Sequence, residues 1–433
     1  MDAPLRHLFV DAAATQGDKP AIVGAGRTLS FRGLADAAED EASRWAERRG
    51  PARPPCDDKV TFLIGFFAAL ISGRPAFVAP AHETLPPHAA EPGEFYWGVT
   101  SGSTGEPKVF ARTQRSWVES FAACEAVFPF RGDDVIGLPG ALTHSLFLYG
   151  AVHALARGLT VLAPNGYAPR AFARTMRDHR TTVLYAAPAM LADFAAAGAA
   201  PLLRLIFCGG ASLDDATRTA AERAFPGADV ISFYGASELS FVSYAATSAP
   251  APKGSAGRLF PGVEAEARGG DGAALPSGRT GVIHVRSPML FSRYLGEPPV
   301  GDGAFVTAGD TGFFDAAGFL HLTGRADREL NLAGVKVAPE RVEAALLAHP
   351  MVTRAAAVGV AQRARGALLT AVVEAEPGLT AADLRAHCRD RLPPTWRPRH
   401  YYRAARLPLT HSGKIAFDAV GRDLAAGVYE PLP

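Results

Sequence analysis

The sequence is poor in cysteine and lysine, carries almost no net charge and has no long apolar run, and each shortage narrows what the chain can be. Its four cysteines, Cys56, Cys124, Cys208 and Cys388, fall without CxxC spacing, which suits a reducing compartment and argues against a disulfide frame or a cysteine zinc site. A formal charge of +1 with 20% charged residues supplies no field that would draw the chain to nucleic acid or an anionic membrane. Small molecules or proteins are the expected partners. The most apolar stretch, residues 61–73, is shorter than the roughly 18 to 20 residues a bilayer span needs and runs into Arg74 and Pro75. It reads as a buried core helix, and no membrane span is expected. The first 17 residues contain Asp2 and Asp11 and no sustained apolar region, so no secretion signal is read there and a cytoplasmic location is expected.

Only six lysines, Lys19, Lys59, Lys108, Lys253, Lys336 and Lys414, stand among 44 basic residues. Arginine is the default cation, so a retained lysine marks a place where a compact ammonium can be required and a planar guanidinium does not substitute. Lys108, Lys336 and Lys414 each lie inside a motif.

At 433 residues the chain exceeds the size at which one core stops growing, which favours two domains. Apolar runs alternate with helical patterns at VIGLPG (135), LTVLAP (159), TTVLYAAP (181), LRLIFCGGA (203) and ADVISFYG (228), as expected for α/β layers on largely parallel strands. Residues 254–324 change to closely spaced glycines and short alternating strands, a β subdomain. The C-terminal remainder of the chain reads as a separate α/β unit of about 100 residues.

Four segments carry chemistry. YWGVTSGSTGEPKVF at 96–110 sets Thr100, Ser101, Gly102, Ser103, Thr104 and Gly105 before Lys108. Small residues let backbone N–H groups approach an anion, hydroxyls add donors and the lysine adds charge. The GxxxxGK[ST] spacing is missing, which disfavours a P-loop ATPase. ISFYGASELS at 231–240 ends an apolar strand in Tyr234, Gly235, Ser237 and Glu238, an aromatic platform beside a carboxylate that can hold a metal. Residues 307–343 contain Asp310, Arg325, Asp327, Asn331, Lys336 and Glu343, and LPLTHSGKIAFD near the end presents Lys414.

In this order and at these separations, the four segments resemble the adenylate-forming superfamily of acyl-CoA synthetases, peptide-synthetase adenylation domains and luciferase-like enzymes, from about residue 5 to 425. The resemblance implies an α/β fold in which a large N-terminal domain of layered sheets and helices with a β subdomain (1–324) is followed by a small mobile C-terminal α/β domain (328–433). The hinge would fall at Asp327. It implies ATP and Mg²⁺ as cofactors, with the glycine-rich loop and Lys108 on the phosphates. Tyr234 would stack on adenine beside Gly209, Gly210 and Ala211, Glu238 would hold Mg²⁺, and Asp310 assisted by Arg325 would hold the ribose. Lys414 would be the catalytic lysine, with His144 beside the reacting carboxylate. His144, Ser145, Ala187, Gly209 and Leu239 would mark the acid pocket.

The thiol acceptor would be CoA or the phosphopantetheine of an acyl carrier protein. Ser145 stands where α-amino-acid-activating members carry an aspartate, so an aryl or fatty type of acid is expected. Departures from the pattern are a shortened stretch between Pro80 and Phe95, Ser237 in place of a threonine, and Phe417 where a basic residue is common. A catalytically silent protein of the same fold, binding only a nucleotide or a partner, is the alternative. Intact Lys108, Glu238, Asp310 and Lys414 argue against it.

Overall fold

The computed structural model describes residues 4–24, 26–45, 47, 50–80, 83–100, 108–198, 202–332, 335–362, 366–409 and 415–433. Three sheets occupy the chain up to residue 325. The largest has nine strands, in the order Arg258–Leu259, Ser240–Ala245, Asp229–Ala236, Leu205–Cys208, Val183–Ala186, Val135–Gly137, Thr160–Leu162, Pro20–Gly24 and Arg27–Ser30. The six strands from Asp229–Ala236 to Pro20–Gly24 in this order pair in parallel, and antiparallel strands close both edges.

Parallel strands joined by crossover helices are covered on both faces, which is why these segments read as continuous apolar runs. Alternate residues serve opposite faces. Tyr185, Phe207 and Ile231 enter the main core with helix Ser145–Ala156, whereas Leu184, Ile206 and Val230 enter a second core with helices Pro169–Asp178, Pro188–Ala197 and Asp215–Ala224.

The apolar stretch at 61–73 forms helix Lys59–Ile71, capped by the Asp58 carboxylate on the Thr61 N–H at 2.8 Å. Its phenylalanines are buried in the main core, and Phe67 stacks on Phe9 at 4.0 Å. Each such buried side chain contributes about 1.5 to 3 kcal/mol of transfer free energy. No described helix is long and apolar enough to cross a membrane.

A second sheet sets strand Ala76–Val78 beside the hairpin Glu94–Thr100 and Lys108–Thr113, with Arg293–Tyr294 on its far edge. Residues 101–107 connect the two hairpin strands and lie outside the described residues. The third sheet, four antiparallel strands Glu264–Arg268, Gly281–Arg286, Asp310–Phe314 and Leu320–Arg325, is the glycine-punctuated β region.

After Arg325 the chain forms the hairpin Leu330–Leu332 and Val335–Val337, then a sheet of Val352–Gln362, Gly366–Ala375, His400–Arg403 and Glu430–Pro431 with helices Pro339–Leu347, Ala381–Arg389 and Phe417–Ala425. Its apolar side chains pack into cores that share no residue with those of the preceding sheets.

Candidate functional site

A cleft of 3360 Å³ runs between the sheets and collects side chains from both halves of the chain. Its geometry begins with the hairpin that follows strand Asp229–Ala236. The register slips between Tyr234 and Gly235, and a Cβ on Gly235 would stand 2.1 Å from the Ser240 carbonyl oxygen, so only glycine fits. Ser240 completes the turn with φ +60°, a left-handed conformation a serine adopts at a cost. This tight reversal holds Glu238 on the cleft wall, where its carboxylate accepts a hydrogen bond from the Tyr294 hydroxyl at 2.9 Å. Among the described residues no group of three or more metal-ligating side chains occurs. A lone carboxylate suits Mg²⁺, which takes one or two carboxylates and completes its shell with water and substrate phosphates.

One residue before the bulge, Tyr234 donates to Asp310 Oδ2 at 2.7 Å. Burial and the Asp310 charge both push the phenol far above its ordinary range, so it is a proton donor at every working pH. The other Asp310 oxygen accepts from Arg325 Nη1 at 3.4 Å, and Arg325 turns its remaining edge onto Asp327, Nε and Nη2 each at 3.0 Å. Register explains the pairing, since Asp310 and Arg325 are directly opposed on neighbouring antiparallel strands.

Lys108 and Thr100 are also opposed, at the end of the hairpin next to residues 101–107. The Lys108 ammonium lies 4.9 Å from the centre of the Tyr294 ring and 3.9 Å from Glu297. What places Tyr294 there was not legible in the sequence. Its neighbour Arg293 donates to the buried Glu94 carboxylate at 2.8 Å, which also accepts from Trp97 Nε1 at 2.9 Å and Ser292 Oγ at 3.0 Å. Burial pushes the Glu94 carboxyl up, but these bonds outweigh it and hold the group below the usual range.

Arg112 is a second unanticipated residue. It is 3% exposed and donates to the carbonyls of Ser237 at 2.8 Å and Met289 at 2.7 Å and to Ser116 Oγ at 3.2 Å. Burial draws its guanidinium down to about 10, with Tyr96 and Glu238 opposing that shift, so it stays charged at neutral pH. The Ser237 hydroxyl bonds that of Ser145 at 2.9 Å, joining the Glu238 turn to the first residue of helix Ser145–Ala156.

His144 is the N-cap of that helix and lines the cleft with Ser145, Ala187, Gly209, Gly210 and Ala211. Leu239, expected in the acid pocket, is instead fully buried in the main core and is not part of the cleft wall. Lys59, outside every motif, reaches the same cleft and donates to the carbonyls of Leu138 at 2.8 Å and Pro139 at 3.1 Å. Burial pulls its ammonium down to about 7.

Ser101, Gly102, Ser103, Thr104, Gly105 and Lys414 lie outside the described residues, as do the side chains of Asn331 and Lys336. Beyond Asp327, Arg328 donates to Glu340 at 3.0 Å and Glu343 at 2.6 Å and lies 3.4 Å over the ring of Phe417. Phe417, which departs from the expected basic residue, thus supplies an aromatic face to a cation.

A family model described as AMP-binding enzyme matches residues 69–295, and one described as AMP-binding enzyme C-terminal domain matches residues 341–414. An uncharacterized acyl-CoA ligase of Bacillus subtilis, YhfT, is 37% identical over 337 residues, covering 77% of this chain and 69% of that protein. A putative long chain fatty acid-CoA ligase of Staphylococcus haemolyticus, VraA, is 28% identical over 75% of this chain and 69% of its own length. The solved structure of o-succinylbenzoate CoA synthetase from Bacillus subtilis in complex with ATP and magnesium superposes with a TM-score of 0.84, at 20% identity, over 95% of this chain and 98% of that one.

Proposed function

The chain belongs to the AMP-binding enzyme family, and from that premise we propose that it couples ATP cleavage to the joining of a carboxylic acid to CoA, through an acyl-adenylate. The observation that carries this reading is the convergence on one cleft wall of Tyr234 bonded to Asp310, Arg325 behind them, Glu238 beside Tyr294, and Lys108. An aromatic ring, a carboxylate for ribose hydroxyls, a carboxylate for a divalent cation and an ammonium for phosphate are the four recognition elements a magnesium nucleotide needs.

Bound Mg²⁺, held by Glu238, would neutralise phosphate charge. The chain's own residues perform the rest. Asp310 and Tyr234 orient the nucleoside, Lys108 and the 101–107 loop hold the outer phosphates, and His144 sits beside the acid's carboxylate. Attack of that carboxylate on the α-phosphorus expels pyrophosphate and brings two anions together. Lys414 supplies the ammonium that offsets the charge growing on the phosphate oxygens. In a second step the acceptor thiol attacks the acyl carbon and AMP leaves. We assign residues 1–324 and 328–433 to two domains hinged at Asp327, so that one cleft serves both steps by rotation of the smaller domain.

Ser145 offers a hydroxyl already bonded to Ser237, not a carboxylate, so a substrate ammonium would be buried unpaired. This supports a simple carboxylic acid over an α-amino acid. The reading is tested by following AMP and thioester formation with ATP, magnesium, an acid panel and CoA, and in parallel with a holo carrier protein. Acid-dependent AMP release and a CoA thioester are expected. AMP release without any acid dependence would overturn the ligase assignment.

A further inference from the structure

Resting on that reading, we propose that Arg328 is a positioning residue for Lys414, anchoring the base of the segment that carries the lysine through the face of Phe417, three residues further along. Ile415, Ala416 and Phe417 line the same cleft as Glu238, Asp310 and Arg325, so the chain directly after Lys414 reaches the nucleotide wall. What fixes those residues fixes where the ammonium is delivered.

Residues 410–414 lie outside the described residues, and the chain on either side of them is closed on itself. The Ala416 N–H donates to the Pro408 carbonyl at 2.8 Å, and Leu409 and Ile415 form an antiparallel bridge. Helix Phe417–Ala425 begins here, and its N-cap Ala416 makes no side-chain capping bond. Its first residue is held by Arg328, whose guanidinium carbon lies 3.4 Å from the centre of the Phe417 ring.

Arg328 is itself fixed. Its Nη1 donates to Glu340 Oε1 at 3.0 Å and Glu343 Oε2 at 3.2 Å, and its Nη2 to Glu343 Oε1 at 2.6 Å, which leaves the flat face for the ring. Glu343 is buried and also accepts from the Ala357 N–H at 2.9 Å, so helix Pro339–Leu347 and strand Val352–Gln362 together hold the arginine. A planar fork is needed to bond two carboxylates at its edge and an aromatic ring at its face. The other Glu340 oxygen is buried, has no hydrogen-bond partner among the described residues and faces Gly324, where a Cβ would stand 2.6 Å away. Gly324, at φ +153°, precedes Arg325, which bonds Asp310. Contacts therefore run from Asp310 to the base of the Lys414 segment. The basic residue common at position 417 would instead set like charge against Arg328.

The test uses whichever of acetate, butyrate, octanoate and benzoate the wild type exchanges best. ATP–pyrophosphate exchange with that acid, and separately thioester formation from CoA and its ready-made adenylate, are followed in wild type, Phe417→Leu, Phe417→Tyr, Phe417→Arg, Arg328→Gln and the double variant Arg328→Gln with Phe417→Leu. Phe417→Leu keeps an apolar side chain and removes the aromatic face. It should lower exchange kcat by about 3- to 30-fold, the range of a cation–π contact, with KM for ATP and thioester formation from the adenylate unchanged. Phe417→Tyr should retain the wild-type kcat, and Phe417→Arg should lose more than Phe417→Leu. Arg328→Gln should match Phe417→Leu, and the double variant should lose little more than either, because all three remove one contact. Wild-type exchange in Phe417→Leu, or an equal loss in both half-reactions, would overturn the inference without touching the ligase reading. No exchange with any acid would overturn the ligase reading itself, and this inference with it.

Discussion

The Tyr234 hydroxyl donates to Asp310 at 2.7 Å across 76 residues of sequence, tying the end of the large sheet to the first residue of a strand in the antiparallel one. The bond shares one carboxylate between a tyrosine and Arg325, so the two substitutions that break it should differ. Tyr234→Phe keeps the ring and should change KM for ATP only a few-fold. Asp310→Ala removes the acceptor assigned to the nucleoside and should lower kcat/KM for ATP by about 10- to 100-fold, the range for a hydrogen bond to a charged group. Equal effects would show that the pair acts only as a structural tie.

Tyr294 braces Glu238 and lies beneath Lys108, so it positions two groups assigned to the magnesium triphosphate. Tyr294→Phe removes the hydroxyl and keeps the ring. Affinity for magnesium should weaken by about 10- to 100-fold, as for other partners that orient a metal ligand, with little change in KM for the acid. Activity titrated against free magnesium checks it, and an unshifted titration would contradict the role.

Lys59 makes stability depend on pH in a direction set by its burial. The unfolded chain keeps this proton to about pH 10.4, while the folded chain releases it near 7. Between those values the unfolded state binds more protons, so folding becomes more favourable as pH rises, and below 7 the term is constant. The stability of wild type relative to Lys59→Met should therefore be flat below pH 7 and climb from there towards 10. Denaturant titrations across that range would contradict this if the two curves stayed parallel.

Lys414 is assigned the ammonium that offsets charge at the α-phosphate. Lys414→Ala should reduce adenylation by about 10² to 10³, with the KM for ATP much less affected. Wild-type exchange rates in that variant would remove the assignment.

Much of the fold and of the site is legible in the residues alone. Continuous apolar runs announce parallel strands because a doubly covered sheet demands them, and three of the motifs mark described residues, Lys108, Tyr234, Glu238, Asp310 and Arg325, that line one cleft. Lys59 is visible as a retained lysine but has no motif to explain it. Contacts between distant segments stay hidden. Arg112 meets Ser237 and Met289, 125 and 177 residues away, and Arg293 meets Glu94 at a separation of 199. No local pattern announces such partners. The expectation for Leu239 erred for a simpler reason. Glu238 faces the cleft, and its neighbour in this tight reversal turns to the core.

Activation of an acid by ATP in this cleft is measured alone, with no acceptor thiol present, by exchange of labelled pyrophosphate into ATP. Exchange should require magnesium and a carboxylic acid and should collapse in Glu238→Gln. Exchange that proceeds without acid, or its absence across an acid panel when ATP demonstrably binds, would contradict acid activation at this site.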